Sequence, residues 1–402
     1  MASSILARFA VNMQTVVLVL FALQHYKSPQ LAGAVVFAAT FPGPMLSPFA
    51  GALLDRRGRI GLIGLDYCVA AASMLSIGGL AAGGALPAWL LLLIAGLGSL
   101  TGPLSNAGAR SLYPLIVPRL LWDRANAVDA TSFMLASIAG PALGGTLVAT
   151  LGADAAMIAT GSIMGVATLF LAGIRLPKPA APAGSLAHAA WAGVVYVVQQ
   201  PVLRTQMVAQ SISSASGGVV TVVLPILVLT RLHGGAATVG LLWATLGGGG
   251  IVGSFISGRF DSSGREMRMI VFGCAISAAM ILSLLWLNSI GSIAVALFLG
   301  GALRSGQSIA LFSMRQRHTD PAWFGRAFAI LMSVNWMGVA AGSALAGQVA
   351  AHSVDAALEV GAGLAVASGV LFVTLGRRVR RGTAPGIDAA AAWPRPSPPA
   401  TR

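Results

Sequence analysis

Long apolar stretches are the feature of this sequence that most restricts its fold. Twelve of them follow one another, separated by short polar connections. A transmembrane helix needs about 20 mostly apolar residues to cross a hydrocarbon core roughly 30 Å thick. Only 9% of the residues are charged, against about a quarter in soluble proteins, so lipid must solvate most of the chain. Since the runs are continuous rather than alternating, which excludes a membrane β-barrel, the sequence predicts an all-α polytopic membrane protein with twelve transmembrane helices.

Hydropathy sets the positions of these twelve spans. The first 26 residues contain no small-residue cleavage site, so they are interpreted as span 1 and not as a signal peptide. In chain order, spans 1 to 12 are predicted near residues 5–25, 31–54, 60–82, 87–109, 126–148, 155–174, 204–230, 237–258, 268–288, 291–313, 327–350 and 356–376.

The basic residues predict the orientation in the membrane. With a cytoplasmic N-terminus, only Lys27 and Arg231 fall in outer loops, and Arg304 falls within span 10. All other lysines and arginines then lie on the cytoplasmic side, as the positive-inside rule requires. The net charge of +14 is explained in this way without a nucleic-acid partner. We therefore expect a multi-pass protein of the cytoplasmic (inner) membrane, with the lipid bilayer as partner and both termini cytoplasmic.

The second half of the sequence repeats the first. A shift of 206 residues superposes the segment 55–59 on 261–265, with Asp, Gly and Arg matched at its first, fourth and fifth positions. The sequence GPALGG at 140–145 returns as GSALAG at 342–347, after a shift of 202 residues. Six spans separate the copies, an even number, so both halves enter the membrane in the same direction.

This repeat defines the predicted domains. Residues 1–174 form an N-terminal bundle of six helices, and residues 204–376 form a C-terminal bundle parallel to it. Residues 175–203 are a cytoplasmic linker whose prolines oppose a helix at its start, followed by a surface helix near 191–199. The Arg- and Pro-rich tail 377–402 is predicted to be disordered.

Charge gathers in the short turn between spans 2 and 3, within the sequence GALLDRRGRI. The matched positions of its motif are Gly51, Asp55, Arg56, Gly58 and Arg59. This motif resembles the signature loop of the major facilitator superfamily, and the weaker copy Asp261-Ser-Ser-Gly264-Arg265 fits it as well. The resemblance covers roughly residues 5–376. It implies alternating access, with the two turns acting as cytoplasmic latches between the halves. Topogenesis alone would explain the arginines but not the repeated aspartate.

A second motif lies in span 5. It reads Ala136-x-x-x-Gly140-Pro141-x-x-Gly144-Gly145 and resembles the exporter-associated motif of the same family, with alanine at the first small position. Pro141 bends the helix, and the small residues let another helix approach closely. Span 8 of the other half, with its run of glycines, is the expected partner. The resemblance implies export, and generic small-residue packing is the alternative.

Polar residues inside membrane spans are costly and usually face a cavity. Arg304, in the middle of span 10, is expected to line a central cavity and to meet an anionic substrate group or a coupling carboxylate. The alternatives are snorkelling and binding to backbone carbonyls. The other predicted cavity residues, on spans 1, 4, 7, 10 and 11, are Asn12, Thr15, Asn106, Gln206, Gln210, Gln307, Asn335 and Trp336.

The coupling ion is expected from the resemblance to be a proton. Asp66 in span 3 and Glu359 near the outer end of span 12 are the only carboxylates that the sequence places in the hydrocarbon. Asp66 is the candidate proton carrier, since burial can raise the pKa of a carboxyl group. Pairing with a loop arginine is the interpretation that the sequence favours for it.

These features predict a secondary transporter of a small organic molecule, an exporter by proton antiport that functions as a monomer. Import or facilitated diffusion of a metabolite is the alternative. Neither lysine follows a glycine-rich loop, so the chain has no P-loop, although a permease subunit served by a separate ATPase stays possible. The five histidines lack metal-ligand spacing and there is no Gly-x-Ser-x-Gly motif, so neither an enzyme nor a cofactor or metal site is predicted.

Overall fold

A computed structural model describes residues 2–57, 59–106, 108, 122–171, 186–259, 264–320 and 323–382, and every regular element in these ranges is a helix. The helices are α1 Ala2–His25, α2 Pro29–Thr40, α3 Pro42–Arg57, α4 Arg59–Ala82, α5 Ala88–Ser99, α6 Trp122–Leu151, α7 Ala153–Leu169, α8 Leu186–Gln199, α9 Pro201–Thr230, α10 Ala236–Ser257, α11 Glu266–Ser283, α12 Ile290–Arg317, α13 Phe324–Ala350 and α14 Val354–Gly382.

The helices confirm a polytopic all-α membrane protein. Within the described ranges, 11 helical segments are long and apolar enough to cross a bilayer. One of them is α2 continued into α3, which bends at Phe41 because Pro42 and Pro44 follow it. The shorter apolar helix α7 supplies a further span and brings the number close to the predicted twelve. Spans 1 to 6 thus correspond to α1, α2–α3, α4, α5, α6 and α7, and spans 7 to 12 to α9–α14.

The last helix extends beyond its membrane-spanning segment. The apolar segment ends at Leu375, next to the predicted end at 376, and α14 itself runs on to Gly382. The reason is that its arginines are good helix formers, which composition alone had assigned to a disordered tail. The predicted surface helix is present as α8. Residues 172–185 of the predicted linker and 383–402 of the predicted tail lie outside the described residues.

The two halves use the same helix pairs. In the first half α1 packs on α6 and α7, and α4 packs on α7; in the second half α9 packs on α13 and α14, and α11 packs on α14. These are the same positions in each set of six spans. We call the end of the bundle at which α1 begins the proximal end, and the opposite end the distal end.

At the distal end the two halves meet through glycines. A Cβ atom added to Gly33 of α2 would lie 2.8 Å from the Cα of Gly347 in α13. A Cβ on Gly145 of α6 would lie 2.9 Å from the Cα of Gly240 in α10. Real Cβ atoms do not approach so closely, so only glycine permits these crossings. The largest apolar core surrounds them and includes Phe21 and residues 222–228.

Toward the proximal end the halves diverge. Gly247 of α10 still packs on Ile138 of α6, near the middle of both helices. Two turns closer to the proximal end on the same face of α6, Thr131 is exposed. The uncovered face of α6 indicates a central cavity between the halves on the proximal side, next to the contacts that α3 makes with α8 and α13.

Ion pairs at the distal end repeat in the two halves. His25 at the end of α1 lies 3.9 Å from Asp154 at the start of α7, between the ring nitrogen and a carboxylate oxygen. Arg231, which is 206 residues after His25, pairs with Asp355 at the start of α14. The equivalent contacts support the internal duplication, and each pair ties two helices of one half.

We predict that Gly240→Val will destabilise the distal crossing, whereas Gly248→Val on the same helix will not. A Cβ at Gly240 would meet the carbonyl oxygen of Pro141 at 2.8 Å, while one at Gly248 would enter open space. Overpacking costs about 1–3 kcal/mol, so the purified Gly240→Val protein should unfold at a clearly lower temperature. Equal unfolding temperatures for the two variants would contradict this close crossing.

Candidate functional site

Arg304 lies near the middle of α12, about 20 Å from the start of the helix. Its side chain is exposed although it is deep in the bundle. The same helix face, continued toward the proximal end, contacts Phe328 of α13: the Phe312 ring lies 5.9 Å from it and the Arg315 guanidinium 5.8 Å. Since α13 lies across the interior of this half, Arg304 faces the central cavity and not the lipid.

Two glutamines predicted to line the cavity are buried between helices instead. Gln307 donates from Nε2 to Ser213 Oγ at 3.4 Å and to Cys274 Sγ at 3.5 Å. Gln206 is fully buried and donates to the carbonyl oxygen of Leu311 at 2.9 Å. In the described structure the Nε2 atoms of both glutamines therefore serve the packing between α9, α11 and α12, whereas the buried Oε1 atom of Gln206 has no hydrogen-bond partner.

Four of the other predicted residues form no side-chain hydrogen bond to another helix in the described part of the chain. Thr15 on α1 and Trp336 on α13 are exposed. Asn106 is also exposed, and it donates to the carbonyl oxygen of Gly102 one turn earlier at 3.2 Å. Asn12 donates to the Arg8 carbonyl oxygen of its own helix at 2.8 Å. Asn12 and Asn106 therefore satisfy backbone carbonyls within their own helices.

Gln210 and Asn335 are half-buried in the second half. The Oε1 atom of Gln210 is buried and has no hydrogen-bond partner. Asn335 of α13 accepts a hydrogen bond from the Ser214 hydroxyl of α9. Both residues lie on the part of α9 and α13 that leads from the proximal end to the cavity.

An ion pair that the sequence analysis missed joins α1 to α6. The guanidinium of Arg8 donates to the Asp129 carboxylate, to the Asp129 carbonyl oxygen and to Ser132 Oγ, each at 2.6 Å. The side chains are 16% and 13% exposed, so this pair is largely shielded from solvent. The sequence analysis had assigned Arg8 to topology alone.

The internal repeat contained the signal for this contact. A shift of 206 residues places Arg8 on Ser214 and Asp129 on Asn335, and these two residues are also hydrogen-bonded to each other. The two halves therefore carry equivalent contacts between their first and fifth helices. The contact is ionic in the first half and neutral in the second.

Asp66, the candidate proton carrier, is 5% exposed on α4. The hydroxyl groups of Thr101 and Ser105, near the proximal end of span 4, lie beside its carboxylate. They donate to the carbonyl oxygens of Gly98 and Gly102 at 3.5 and 3.2 Å. In the described part of the chain Asp66 forms no ion pair, so the loop arginine partner that the sequence favours is not found there. A carboxyl group buried beside hydroxyls can be accommodated in both protonation states.

Most of the predicted latch lies outside the described part of the chain. This is true of Gly58 and Asp261, and of the side chains of Gly51, Asp55 and Arg56. Arg59 is half-buried at the start of α4, and Arg265 is exposed before α11. Gly264, the counterpart of Gly58, has φ +71°, a left-handed backbone conformation that glycine adopts without strain.

The glycines of the exporter-like motif face two different helices. A Cβ on Gly140 would lie 2.6 Å from the Cβ of Asn12, and one on Gly144 would lie 3.1 Å from the Met13 carbonyl oxygen, both in α1. Gly145 instead faces α10 of the other half through Gly240. Pro141 is buried between these contacts. The motif thus joins α6 to its own half and to the opposite half.

The glycine run of α10 is also divided between two partners. Gly247 packs on α6, as was expected of span 8. Gly249 and Gly253 pack instead on the backbone of α12, at Phe298 and Ala302. Close packing on α12 fixes the helix that carries Arg304 against α10.

Comparison with known proteins places this architecture in a family. The profile of the transmembrane secretion effector family matches residues 1–399. The uncharacterized MFS-type transporter y4rN of Sinorhizobium fredii is 36% identical over 361 residues, which is 87% of this chain and 87% of that protein. The chain belongs to the major facilitator superfamily. The relative y4rN is named as a transporter.

More distant relatives agree with this assignment. The enterobactin exporter EntS of Citrobacter koseri is 29% identical over 372 residues, covering 88% of this chain and 84% of that protein. The crystal structure of the nucleoside transporter NupG has a TM-score of 0.74 over 93% of this chain and 98% of that chain, at 10% identity. The structural likeness concerns the fold.

We predict that Arg8 and Asp129 contribute to stability as a unit. Arg8→Gln or Asp129→Asn alone leaves a shielded charge without its partner and should lower the free energy of unfolding by about 1–3 kcal/mol. The double variant should lose less than the sum of the two, because neither charge is then left unpaired. Unfolding of the four purified proteins measures this cycle, and strictly additive losses would contradict it. Ser214→Ala, at the equivalent neutral position, is the control with a smaller expected loss.

Proposed function

We propose that this protein is a secondary transporter that exports a small organic molecule from the cytoplasm by proton antiport. The observation that carries the proposal is the cavity between two duplicated bundles, with the exposed Arg304 side chain at mid-membrane depth. Its family membership supports transport. Its similarity to an enterobactin exporter and the glycine-rich contact of α6 with α10 favour export.

The transport cycle would be alternating access. The positive-inside distribution of Lys and Arg supports a cytoplasmic proximal end, so the described conformation would be open to the cytoplasm. Substrate would then enter at the proximal end and reach Arg304. Closure of the proximal end by the turns 51–59 and 261–265, with opening of the glycine crossings at the distal end, would release it outside.

The proton would be carried by Asp66. Its carboxylate is buried in α4 and has hydroxyl groups beside it, which can donate to the carboxylate and accept from the carboxylic acid. Asp66 also lies near the proximal end of α4, close to the latch turn that precedes this helix. A change in its protonation state would therefore affect the latch. This role depends on the export proposal.

The transport proposal can be tested with purified protein in liposomes under an imposed pH gradient. A dye panel of ethidium and fluorescein covers one organic cation and one organic anion. At least one dye should be transported against its gradient when protons move in the opposite direction. A protonophore should abolish this transport.

Protein-free liposomes are the control for passive dye movement. If the dye moves down its own concentration gradient at a rate that does not depend on the pH gradient, the protein is a facilitator. Failure of every dye to move with any gradient would count against export of small organic molecules.

Asp66→Asn should separate proton coupling from substrate movement. The amide keeps the size of the side chain but cannot release a proton, so pH-driven accumulation should be lost while exchange of dye across the membrane continues. Glu359→Gln is the matched control, since Glu359 is exposed near the distal end of α14. Preserved pH-driven accumulation in Asp66→Asn would remove Asp66 from the coupling mechanism.

A further inference from the structure

We propose that the transported molecule is an organic anion with an apolar or aromatic body, and that Arg304 binds its negative charge. This inference rests on the proposed transport function, for which it names the substrate class. Its starting point is a charge imbalance in the membrane interior, where Arg304 is exposed to the cavity and no acidic side chain contacts it in the described part of the chain.

The acidic residues of the described spans are occupied or distant. Asp129 binds Arg8. Asp66 lies beside the hydroxyls of span 4, in the other half of the protein. Glu359 is exposed near the distal start of α14. The buried thiol of Cys274 lies close to Arg304, and a neutral thiol compensates no charge.

An arginine at this depth is costly and remains charged, because the guanidinium does not deprotonate in proteins. Water in the open cavity offsets part of this cost in the described conformation. An anionic ligand would offset it more completely, since guanidinium binds carboxylates and related oxyanions through paired hydrogen bonds. The exposed position leaves these donors free to meet a ligand that enters from the proximal end.

A second arginine marks the route to this site. Arg315 lies eleven residues after Arg304 on the same face of α12, about 16 Å closer to the proximal end. It is buried, and its Nε atom has no hydrogen-bond partner. Two cations along one face raise the positive potential of the path and would draw anions inward.

Aromatic rings on the same route indicate the rest of the substrate. Phe312 lies between the two arginines in sequence and is 43% exposed. Its ring contacts those of Phe324 and Phe328 edge-on, at centroid distances of 6.4 and 5.9 Å. An apolar or aromatic body can pack on these rings while its charge reaches Arg304. An inorganic anion would use the charge but gain nothing from the rings.

Binding can be tested on the purified full chain with salicylate as the organic anion, benzyl alcohol as a neutral aromatic and chloride as an inorganic anion. The readout is the unfolding temperature against ligand concentration at constant ionic strength. Salicylate should raise it in a saturable way, and half-saturation should need about tenfold more salicylate or higher in Arg304→Gln. The salicylate concentration for half-saturation of Arg304→Lys should lie between those of the unaltered protein and Arg304→Gln, because lysine keeps the charge but not the paired donors.

Arg317→Gln is the matched control. It removes one positive charge from the proximal end of the same helix, where Arg317 pairs with Glu266 outside the cavity. Its salicylate response should equal that of the unaltered protein. Equal responses of Arg304→Gln and the unaltered protein would overturn the proposal. If chloride raises the unfolding temperature as much as salicylate does, the ligand need not be organic and that part of the proposal is overturned. If benzyl alcohol raises it as much, the ligand need not be charged and the role of Arg304 as an anion site is overturned.

Transport of the two dyes separates this inference from the export proposal. In liposomes, fluorescein should be transported, and Arg304→Gln should lose this transport while it elutes as a monodisperse protein. Transport of ethidium alone would leave the export function standing and overturn the anion class. If neither dye is transported but salicylate binding still depends on Arg304, the result counts against export and supports the anion site.

Discussion

Close crossings between the two halves are the constraint on which the rest of this structure depends. At the distal end Gly33 lies against Gly347 and Gly145 lies against Gly240, with no room for a Cβ atom. Helix association in a bilayer gains little from apolar burial, because lipid is as apolar as the side chains. Close backbones gain dispersion contacts instead, and larger side chains would forfeit them. Because the crossings hold the halves at one end, the other end is free to separate and to admit solvent as far as Arg304.

Duplication has preserved contact positions while their chemistry has changed. Two contacts recur in the second half, each between the first helix of a half and its fifth or sixth helix. They are Arg8–Asp129 with Ser214–Asn335, and His25–Asp154 with Arg231–Asp355. Three of the four residues correspond at a shift of 206 positions, and Asp154 corresponds to Asp355 at a shift of 201. Toward the proximal end the first half has the ionic version, and at the distal end the second half has the permanently charged one. Each of these contacts lies within one bundle, so the charged contacts stiffen the first bundle toward its proximal end and the second bundle at its distal end, without joining the halves.

The sequence was sufficient for the features that depend on composition and periodicity. The spans, the repeat and the contact of Gly145 with span 8 could be predicted because apolar length and small side chains act locally. The direction of a polar side chain could not. Gln206 and Gln307 lie on the same helices as residues of the cavity, and only the packing of neighbouring helices decides which face is covered. The Arg8–Asp129 pair was missed for a related reason, since a basic residue near a helix start is explained by topology alone.

The exposure of Arg304 depends on the conformation, and this links ligand binding to movement. In the described state the guanidinium is exposed, so water that fills the cavity can solvate it. If the proximal end closes over an empty cavity, that water is lost and the charge is left without compensation, which is unfavourable in a low dielectric. An anion bound to Arg304 removes this penalty, so the loaded protein would close more readily than the empty one. A ligand shifts a conformational equilibrium only through its differential affinity for the two states. Binding of the anion to Arg304 would therefore favour closure of the loaded protein over closure of the empty one, as coupled transport requires.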